Sequence, residues 1–580
     1  MALQLWCPFT LDTKQQGLGD ISIPISASQG SIVTNGKLGK CLKTTATGNI
    51  ETTYIPDLNN SNYSIGGWFK FNKSELQTAL SNLDYTSIKT YAIGNLIGNN
   101  SFGGLGLCWN SNDMYASSRV FNRLDIFGCL RTSSAGVQNV GTIIVDFDVW
   151  MHIFLVFDKI HKTLSLYKNG SLIQSKTITD FSDGVSRKLY INYSAVTAGN
   201  GPGACIPFYM NDFRLYDHAL SPREIEILSR GLVCHYPLSD SAVEPTTNLV
   251  TSITAGGRTT VNGDTVTTTG EDKDTYFFLN TSEKIINGQT YTLSCDVSGI
   301  ASGEHWRFSF YSDPAIDLYN GHNEITFTAK KDSSNTQLIL DDTYRPIINN
   351  PTTFSHFQLE KKDHATLYAG LGGTRSGETT VYDCSGYQYN GTVNGSLTVS
   401  SDTARYSAST YVPKAGYIQH PNALGSDNAD QEWTCCAWVK LTGTDSSQNL
   451  NNFNLANIIR ASTTPLLYIN SSSHDYYIYG SVALSTDTWT HIAFVFKNST
   501  GLRNIYINGE LKNGYGPNKD STPAGIPDTV TVFGGNFDGY VSDYREYATA
   551  LSAAQIAELY NTAVSVANNG TLMGYELVEV

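Results

Sequence analysis

Chemistry has few places to start in this chain. Asp146 and Asp148 lie two residues apart in "VDFDVW" (145–150), and paired carboxylates are what glycoside cleavage uses, one as general acid and one as nucleophile or base. Solvation at a turn or strand edge is the simpler account of this pair, because carboxylates are mostly exposed. His152 follows Trp150 by two residues, and His491 stands in the same relation to Trp489. Imidazole can act as acid, base or metal ligand, but neither histidine has a second ligand near it, so both are assigned a structural place on a strand. Asp212 with Arg214, and Asp543 with Arg545, sit at i and i+2 and share a strand face. An ion pair is the expected outcome. Calcium is left open there, since it needs six to eight oxygens and a sequence does not show how many converge. No cofactor is assigned beyond that.

Binding chemistry has better material. Sugar rings stack their weakly apolar faces on aromatic side chains, and their hydroxyls bond to a few well-placed polar groups. One stretch offers Trp109, Asn110, Asn112, Asp113 and Tyr115, and a second offers Tyr468, Asn470, His474, Asp475, Tyr476 and Tyr477. A third set, Tyr311, Asp317 and Tyr319 with His322, follows the stripe Trp306, Phe308 and Phe310, which reads as core. Strands alternate, so part of each set must also serve the interior.

The elements that position these residues occur twice. "WMHIFLVFDKIHKTLSLYKNG" (150–170) and "WTHIAFVFKNSTGLRNIYING" (489–509) agree at eight of 21 positions without a gap. Ile153, Leu155 and Phe157 alternate with Phe154 and Val156, the pattern of a strand covered on both faces. Each stretch ends in Asn-Gly, which supplies the positive-φ pair of a tight hairpin turn. "DFRLYDHALSPREIEIL" (212–228) and "DYREYATALSAAQIAEL" (543–559) agree at eight of 17 positions. In both, a Ser precedes a short helical pattern and Glu224 or Gln555 follows three residues later, a capping box. "GGWFKF" (66–71) has its counterpart in "CCAWVKL" (435–441), and "GLGLCWNSNDMY" (104–115) is paired with "PLLYINSSSHDYY" (465–477). A repeat of this length is a domain.

This order of landmarks resembles a laminin-G-like jelly roll of the concanavalin A-like lectin and glucanase superfamily. The residues that carry it are 36–42 (GKLGKCL), 68–71 (WFKF), Trp150 with His152, Asn169-Gly170, 212–214 (DFR) and 219–221 (ALS). The second copy departs at the first landmark, with "ARYSAST" (404–410). The resemblance implies two packed antiparallel sheets that often bind glycans, sometimes near calcium. The Glu-x-Asp-x-x-Glu strand of the superfamily's glucanases does not occur in this chain, and neither a Ser-His-Asp order nor a Gly-rich phosphate loop stands out. No catalytic residue is assigned, and the chain is read as a binder, not an enzyme.

The opening strand of the second copy, "GLVCHYPLSD" (231–240), is separated from its following turn at Asp383. The residues between form a β-rich guest whose ending, "FSHFQLEKKDHATLYAG" (354–370), resembles the close of carbohydrate-binding-module-like jelly rolls of bacteriophage tail and fibre proteins. The expected organisation is all-β: three antiparallel sandwiches at 1–230, at 231–244 with 379–562, and inserted at 245–375, and a C-terminal tail at 563–580.

The net charge of −14 and the lack of a basic run argue against nucleic acid as a partner. No apolar run reaches a membrane span, and the opening "MALQLWCPFTLD" lacks a signal-peptide pattern, so membrane insertion is not expected and folding in a cytoplasm is. The ten cysteines show no metal-type spacing and read mostly as reduced, buried residues. Together these features point to a non-catalytic glycan-binding component of a bacteriophage virion, in a tail or head fibre, assembled in the host cytoplasm. Its expected partners are host cell-surface polysaccharide and other virion proteins, with homo-oligomerisation left open. A spacer role without binding, and a glycoside-cleaving depolymerase, are the alternatives.

Overall fold

The computed structural model describes residues 3–9, 23, 25–55, 62–81, 94–99, 103–109, 123–132, 136–178, 188–193, 205–239, 245–269, 275–300, 305–308, 316–341, 351–366, 368–377, 379–406, 408–424, 431–445, 447–452, 456–460, 464–469, 476–516 and 527–561. The described chain is all-β apart from short helices, and its strand pairs are antiparallel. Among the described residues no helix is long and apolar enough to cross a membrane.

Both copies of the repeat build one sheet in the same order. In the first it runs Ser171–Thr177, Thr163–Lys168, Met151–Asp158, Tyr63–Lys70, Tyr209–Tyr216, Gly39–Thr44, Gly30–Gly36, and Leu3–Cys7 also pairs with Tyr209–Tyr216. In the second it runs Glu510–Leu511, Leu502–Ile507, Thr490–Lys497, Glu432–Leu441, Gly539–Tyr547, Ser409–Val412, Thr398–Ser400, with Leu232–Tyr236 on Gly539–Tyr547. The edge hairpin therefore forms in the second copy even though its "GKLGKCL" landmark is lost.

Met151–Asp158 is interior, as its double apolar pattern requires. Ile153, Leu155 and Phe157 face the second sheet of the same sandwich, while Phe154 and Val156 join a cluster with Trp6, Trp68, Tyr216 and the helix Pro222–Ser229. The Asn-Gly turns hold φ of 48° and 80° at Asn169 and Gly170, and of 50° and 79° at Asn508 and Gly509. Each Asn side chain also accepts from the backbone N–H of the histidine on the neighbouring strand, His152 or His491, at 2.9 Å. The capping boxes form at Ser221 with Glu224 and at Ser552 with Gln555.

Facing this sheet in the first copy is a layer ordered Ile50–Glu51, Leu189–Tyr193, Gly94–Asn99, Gly103–Trp109, Leu124–Thr132, Gly136–Ile144. In the second copy it is Thr380–Val381, Gly391–Asn394, Tyr417–Pro421, Thr529–Val532, Gln448–Asn451, Ala456–Arg460, Thr464–Ile469, Tyr476–Tyr479. This order corrects the pairing of 104–115 with 465–477. The strand that ends at Trp109 matches Ala456–Arg460, and the hairpin around Tyr468 matches Leu124–Ile144. Local aromatic and polar likeness suggested the wrong partner; position in the sheet decides the right one.

Between Tyr236 and Thr380 the described chain forms two larger sheets around a separate apolar core, to which the two-stranded pair Trp306–Phe308 and Ile316–Leu318 adds Trp306 and Leu318. One holds Val250–Ala255, Tyr276–Thr281 and Gln337–Asp341; the other holds Thr259–Asn262, Thr265–Thr268, Thr353–Glu360, Thr290–Ser298 and Gly321–Thr328. Thr246–Thr247 pairs with Thr374–Arg375, so the ingoing and outgoing segments meet. The "FQLE" stretch closes this neck: buried Gln358 donates to Glu360 and to the Thr366 carbonyl, and Glu360 accepts from Thr246 and Thr366.

Because entry and exit are adjacent, closing the gap costs little loop entropy. Replacing residues 245–375 by a short Gly/Ser linker should give a soluble chain with a cooperative thermal transition and unchanged near-ultraviolet signals from Trp433 and Trp68. An insoluble or molten product would show that the inserted residues complete the surrounding core.

Candidate functional site

On the second copy, Tyr476–Tyr479 forms the last strand of its sheet. Ile478 packs on the core, so alternation puts Tyr477 and Tyr479 together on the opposite face. Tyr468 stands opposite Tyr477 in the register and joins them there, over buried Leu466. The rings of Tyr477 and Tyr479 meet edge to face at 5.4 Å, and all three tyrosines are half-buried.

An edge strand needs partners for its free backbone groups, and here they are found. Tyr479 N–H donates to the Tyr515 carbonyl, Gly514 N–H donates to the Tyr479 carbonyl, and Arg503 Nη1 donates to the Tyr477 carbonyl at 3.0 Å. This brings in Tyr515, which is 75% exposed. The result is a surface of half-buried tyrosine rings on a held backbone, with exposed Tyr515 beside the strand, and such rings can stack on an apolar ring face. Tyr479 and Tyr515 were missed by sequence reading: the first lies two residues past the chosen stretch, and the second comes from a different segment. The side chain of Tyr476 and residues Asn470, His474 and Asp475 lie outside the described residues.

The inserted sandwich presents two polar surfaces. Asp317 and Tyr319 do come together, with His305 between them: its ring is 5.6 Å from that of Tyr319, and its Nε2 is 3.6 Å from Asp317 Oδ1. Tyr319 is 54% exposed, whereas Trp306 is buried against Phe354, as a core stripe should be. Tyr311 lies outside the described residues.

The second surface crosses the outer face of the five-stranded sheet. Asp296 accepts from Nδ1 of His322 and from Nδ1 of His356, each at 2.7 Å. The His356 ring lies 4.9 Å from that of Tyr368, whose hydroxyl donates to Asp264 at 3.1 Å. Partial burial opposes ionisation of Asp296, yet the bonds from His356 and His322 hold its carboxyl below the usual range. Burial and the bond to Asp264 push Tyr368 up to about 12. This row draws on four separate segments, and only the sheet register, with His322 opposite Asp296, assembles it.

In the first copy, Trp109 ends the strand Gly103–Trp109 opposite Leu124. Its side chain and Asn110, Asn112, Asp113 and Tyr115 lie outside the described residues.

The residues first considered for catalysis or calcium have structural partners. Asp146 and Asp148 sit in an exposed turn after the strand Gly136–Ile144, in keeping with the solvation read from the sequence; Asp146 pairs with Lys168 and Asp148 accepts from Asn72. Asp212 accepts from Trp6 Nε1 at 2.6 Å and Arg214 Nε at 2.8 Å, in full burial. Asp543 does the same with His235 Nε2 at 3.0 Å and Arg545 Nε at 2.8 Å. Despite its burial, Arg545 and His235 hold Asp543 well below the carboxylate range. A guanidinium already fills the place a cation would take, so these pairs do not fit calcium.

The sheets and tyrosine-rich faces define a lectin-type β-sandwich protein. The family profile of the concanavalin A-like lectin/glucanases superfamily matches residues 44–226 and 413–557. Those matches span more than half of the chain, and the chain belongs to that superfamily. No curated protein matches it. Among solved structures it is similar to domain 4 of AbnA, a GH43 extracellular arabinanase from Geobacillus stearothermophilus, in complex with arabinotriose, at 19% identity over 31% of this chain and 91% of that one, with a TM-score of 0.23. The binding domain of Paraclostridial Mosquitocidal Protein 1 is 12% identical over 87% of this chain and 88% of that one, with a TM-score of 0.29. The botulinum neurotoxin serotype C1 binding domain is 10% identical over 95% and 99% respectively, with a TM-score of 0.28.

His152 and His491 are buried, and burial drives each imidazole down to about 3. His152 lies between the rings of Trp68 and Phe154, and neither of its ring nitrogens has a hydrogen-bond partner. The folded state keeps it neutral while the unfolded chain takes up a proton below its ordinary value. Each histidine therefore contributes fully above pH 6.5 and loses that contribution as pH falls toward 3. Unfolding free energy from urea titration should fall by about 2 kcal/mol per histidine between about pH 6.5 and 5. His152→Phe should remove its share of the slope; an unchanged slope would refute the assignment.

Proposed function

We propose that this chain is a non-catalytic, glycan-binding adhesion component of a bacteriophage virion, placed on a tail or head fibre for recognition of the host surface. The observation that carries the binding role is the surface of Tyr468, Tyr477 and Tyr479. These rings are only half-buried, come from two strands of a lectin-type sandwich, and have their backbone held by Arg503 and the 514–515 segment. An aromatic face costs little to desolvate and offers hydroxyls at its border, which suits a saccharide better than a charged ligand. The row of Asp296, His322, His356 and Tyr368 gives the inserted sandwich a second polar and aromatic surface for the same class of ligand.

The virion setting rests on the resemblance of the inserted sandwich's ending to modules of phage fibres, and on the stacking of three β-sandwiches in one chain. Cell-surface polysaccharide of the host is the proposed ligand, and other virion proteins are the proposed partners. The non-catalytic reading rests on the roles found for the acids and histidines. Asp146 and Asp148 solvate a turn, and His152 and His491 fill the core.

Tyr477→Ala and Tyr479→Ala, singly and together, should weaken binding to polysaccharide from candidate host cells by at least tenfold while the melting temperature stays near wild type. Trp433→Ala is the comparison, since that ring is buried and its loss should cost about 3 to 5 kcal/mol. Reducing-end release measured in parallel should stay at background. Stable variants that bind as wild type does, with the inserted sandwich also dispensable, would leave a spacer role; release of reducing ends would make the chain a depolymerase.

A further inference from the structure

The two copies differ in their cores at three positions that come together in space. Cys234 pairs in register with Glu546, and the matching positions of the first copy are Leu5 and Leu215. His420 follows Gln419, which pairs with Thr531; in the first copy Thr52 follows Glu51, which pairs with Tyr190. The fold is thus satisfied by Leu5, Thr52 and Leu215, yet the second copy places a thiol, an imidazole and a carboxyl there, all fully buried. Burying a carboxylate is expensive unless something neutralises it, so its presence calls for a partner.

The geometry of the three groups supplies one. Their ligand atoms all lie within 4.8 Å of one another. His420 Nδ1 is 2.8 Å from the Pro421 carbonyl, which can only accept, so Nδ1 carries the ring proton. This directs Nε2 at Glu546 Oε1, 3.1 Å away. In the neutral tautomer two acceptors then face each other. The Tyr544 hydroxyl donates to the same Oε1, while Glu546 Oε2 is buried without a hydrogen-bond partner.

We propose that Cys234, His420 and Glu546 supply three ligands of a site for a divalent transition metal of the zinc type, with a water molecule completing the tetrahedron. A 3.1 Å separation of nitrogen and oxygen is close to the roughly 3.3 Å edge of a tetrahedron with bonds of about 2.0 Å. Thiolate and imidazole select zinc or cobalt over calcium, which takes oxygen ligands. One thiolate and one carboxylate cancel a divalent charge, so the buried site is neutral. Binding releases the Cys234 thiol proton, and any second proton on His420, to solvent. The ligands come from both sheets of the sandwich, so the metal pins them together.

The full chain, expressed in medium supplemented with zinc and exchanged into metal-free buffer, should carry about one zinc per chain by elemental mass spectrometry. Expressed with cobalt instead, it should show a thiolate-to-cobalt charge-transfer band. Cys7→Ser should keep the metal, and Cys234→Ser and Glu546→Gln should lose it. The triple variant Cys234→Leu, His420→Thr, Glu546→Leu copies the first half and should fold without metal. If it does not fold, the cobalt spectrum of the wild-type chain decides. Folded wild-type chain without a transition metal would overturn the site in favour of a protonated His420 paired with Glu546. A cobalt spectrum lacking the thiolate band, or metal retained by the triple variant, would also overturn it.

Discussion

Asp212 and Arg214 put opposite charges two residues apart on the strand through which the first sandwich is organised. Tyr209–Tyr216 pairs with Leu3–Cys7, Gly39–Thr44 and Tyr63–Lys70, and its register with the last of these slips between Asn211 and Arg214. At that slip Asp212 adopts a φ of 52° and its N–H donates to the Pro8 carbonyl. Asp543 repeats this with a φ of 56° and the Pro237 carbonyl. The bulge turns the carboxylate into the core, and the arginine and a ring N–H from the opening strand satisfy it there. Removing one partner would strand a buried charge, at a cost of about 3 to 5 kcal/mol. The two copies differ in their edge strands and both keep this arrangement.

The same arginine also ties the two lectin-type halves together. Arg214 Nη2 donates to the Tyr387 hydroxyl at 3.1 Å, and Trp6, stacked on that arginine, meets the Tyr387 ring edge to face at 5.4 Å. Around this point Lys37 pairs with Glu432, the Tyr389 hydroxyl donates to the Leu38 carbonyl, and Arg230 bridges Glu226 and Glu558. One apolar cluster runs from Trp6 and Trp68 into Trp433 and Phe494. The outer face of the first half's long sheet is consequently spent on the contact between halves. Tyr468, Tyr477, Tyr479 and Tyr515 lie on the opposite layer and at its edge, where such packing leaves surface free.

Much of this architecture could be read from the chain because it is written in local patterns. Alternating apolar residues after Trp150 and Trp489, Asn-Gly, and Ser-x-x-Glu each fix their own backbone within a few residues, and the repeat doubles every signal. Longer-range facts had no such signal. The row of His322, Asp296, His356 and Tyr368 exists only once the register of three strands is set, and Glu546 becomes notable only when Leu215 is known to occupy its place in the other copy. The stretch at 465–477 was matched to the wrong partner for a related reason: aromatic and polar residues recur in many hairpins of such a sheet, whereas strand order belongs to the whole layer.

The manner of insertion bears on how the surfaces are held. His235, at the end of the strand before the insertion, donates its N–H to Asp383 and accepts at its carbonyl from Cys384 N–H, so the chain leaves and re-enters at one place. Asp383 also accepts from Ser385 and from the Tyr389 N–H, which fixes the re-entry turn just ahead of the tyrosines that contact the first half. On the far side, Thr246–Thr247 and Thr374–Arg375 form a two-stranded neck sealed by Glu360 and Gln358. Two covalent tethers restrict rotation in a way that one linker does not. A ligand with repeating units that engaged the tyrosines of the second half would then meet the face of the inserted sandwich at a restricted distance, and the second contact would form at raised effective concentration. Weak individual contacts, such as a few half-buried rings offer, suffice under that condition.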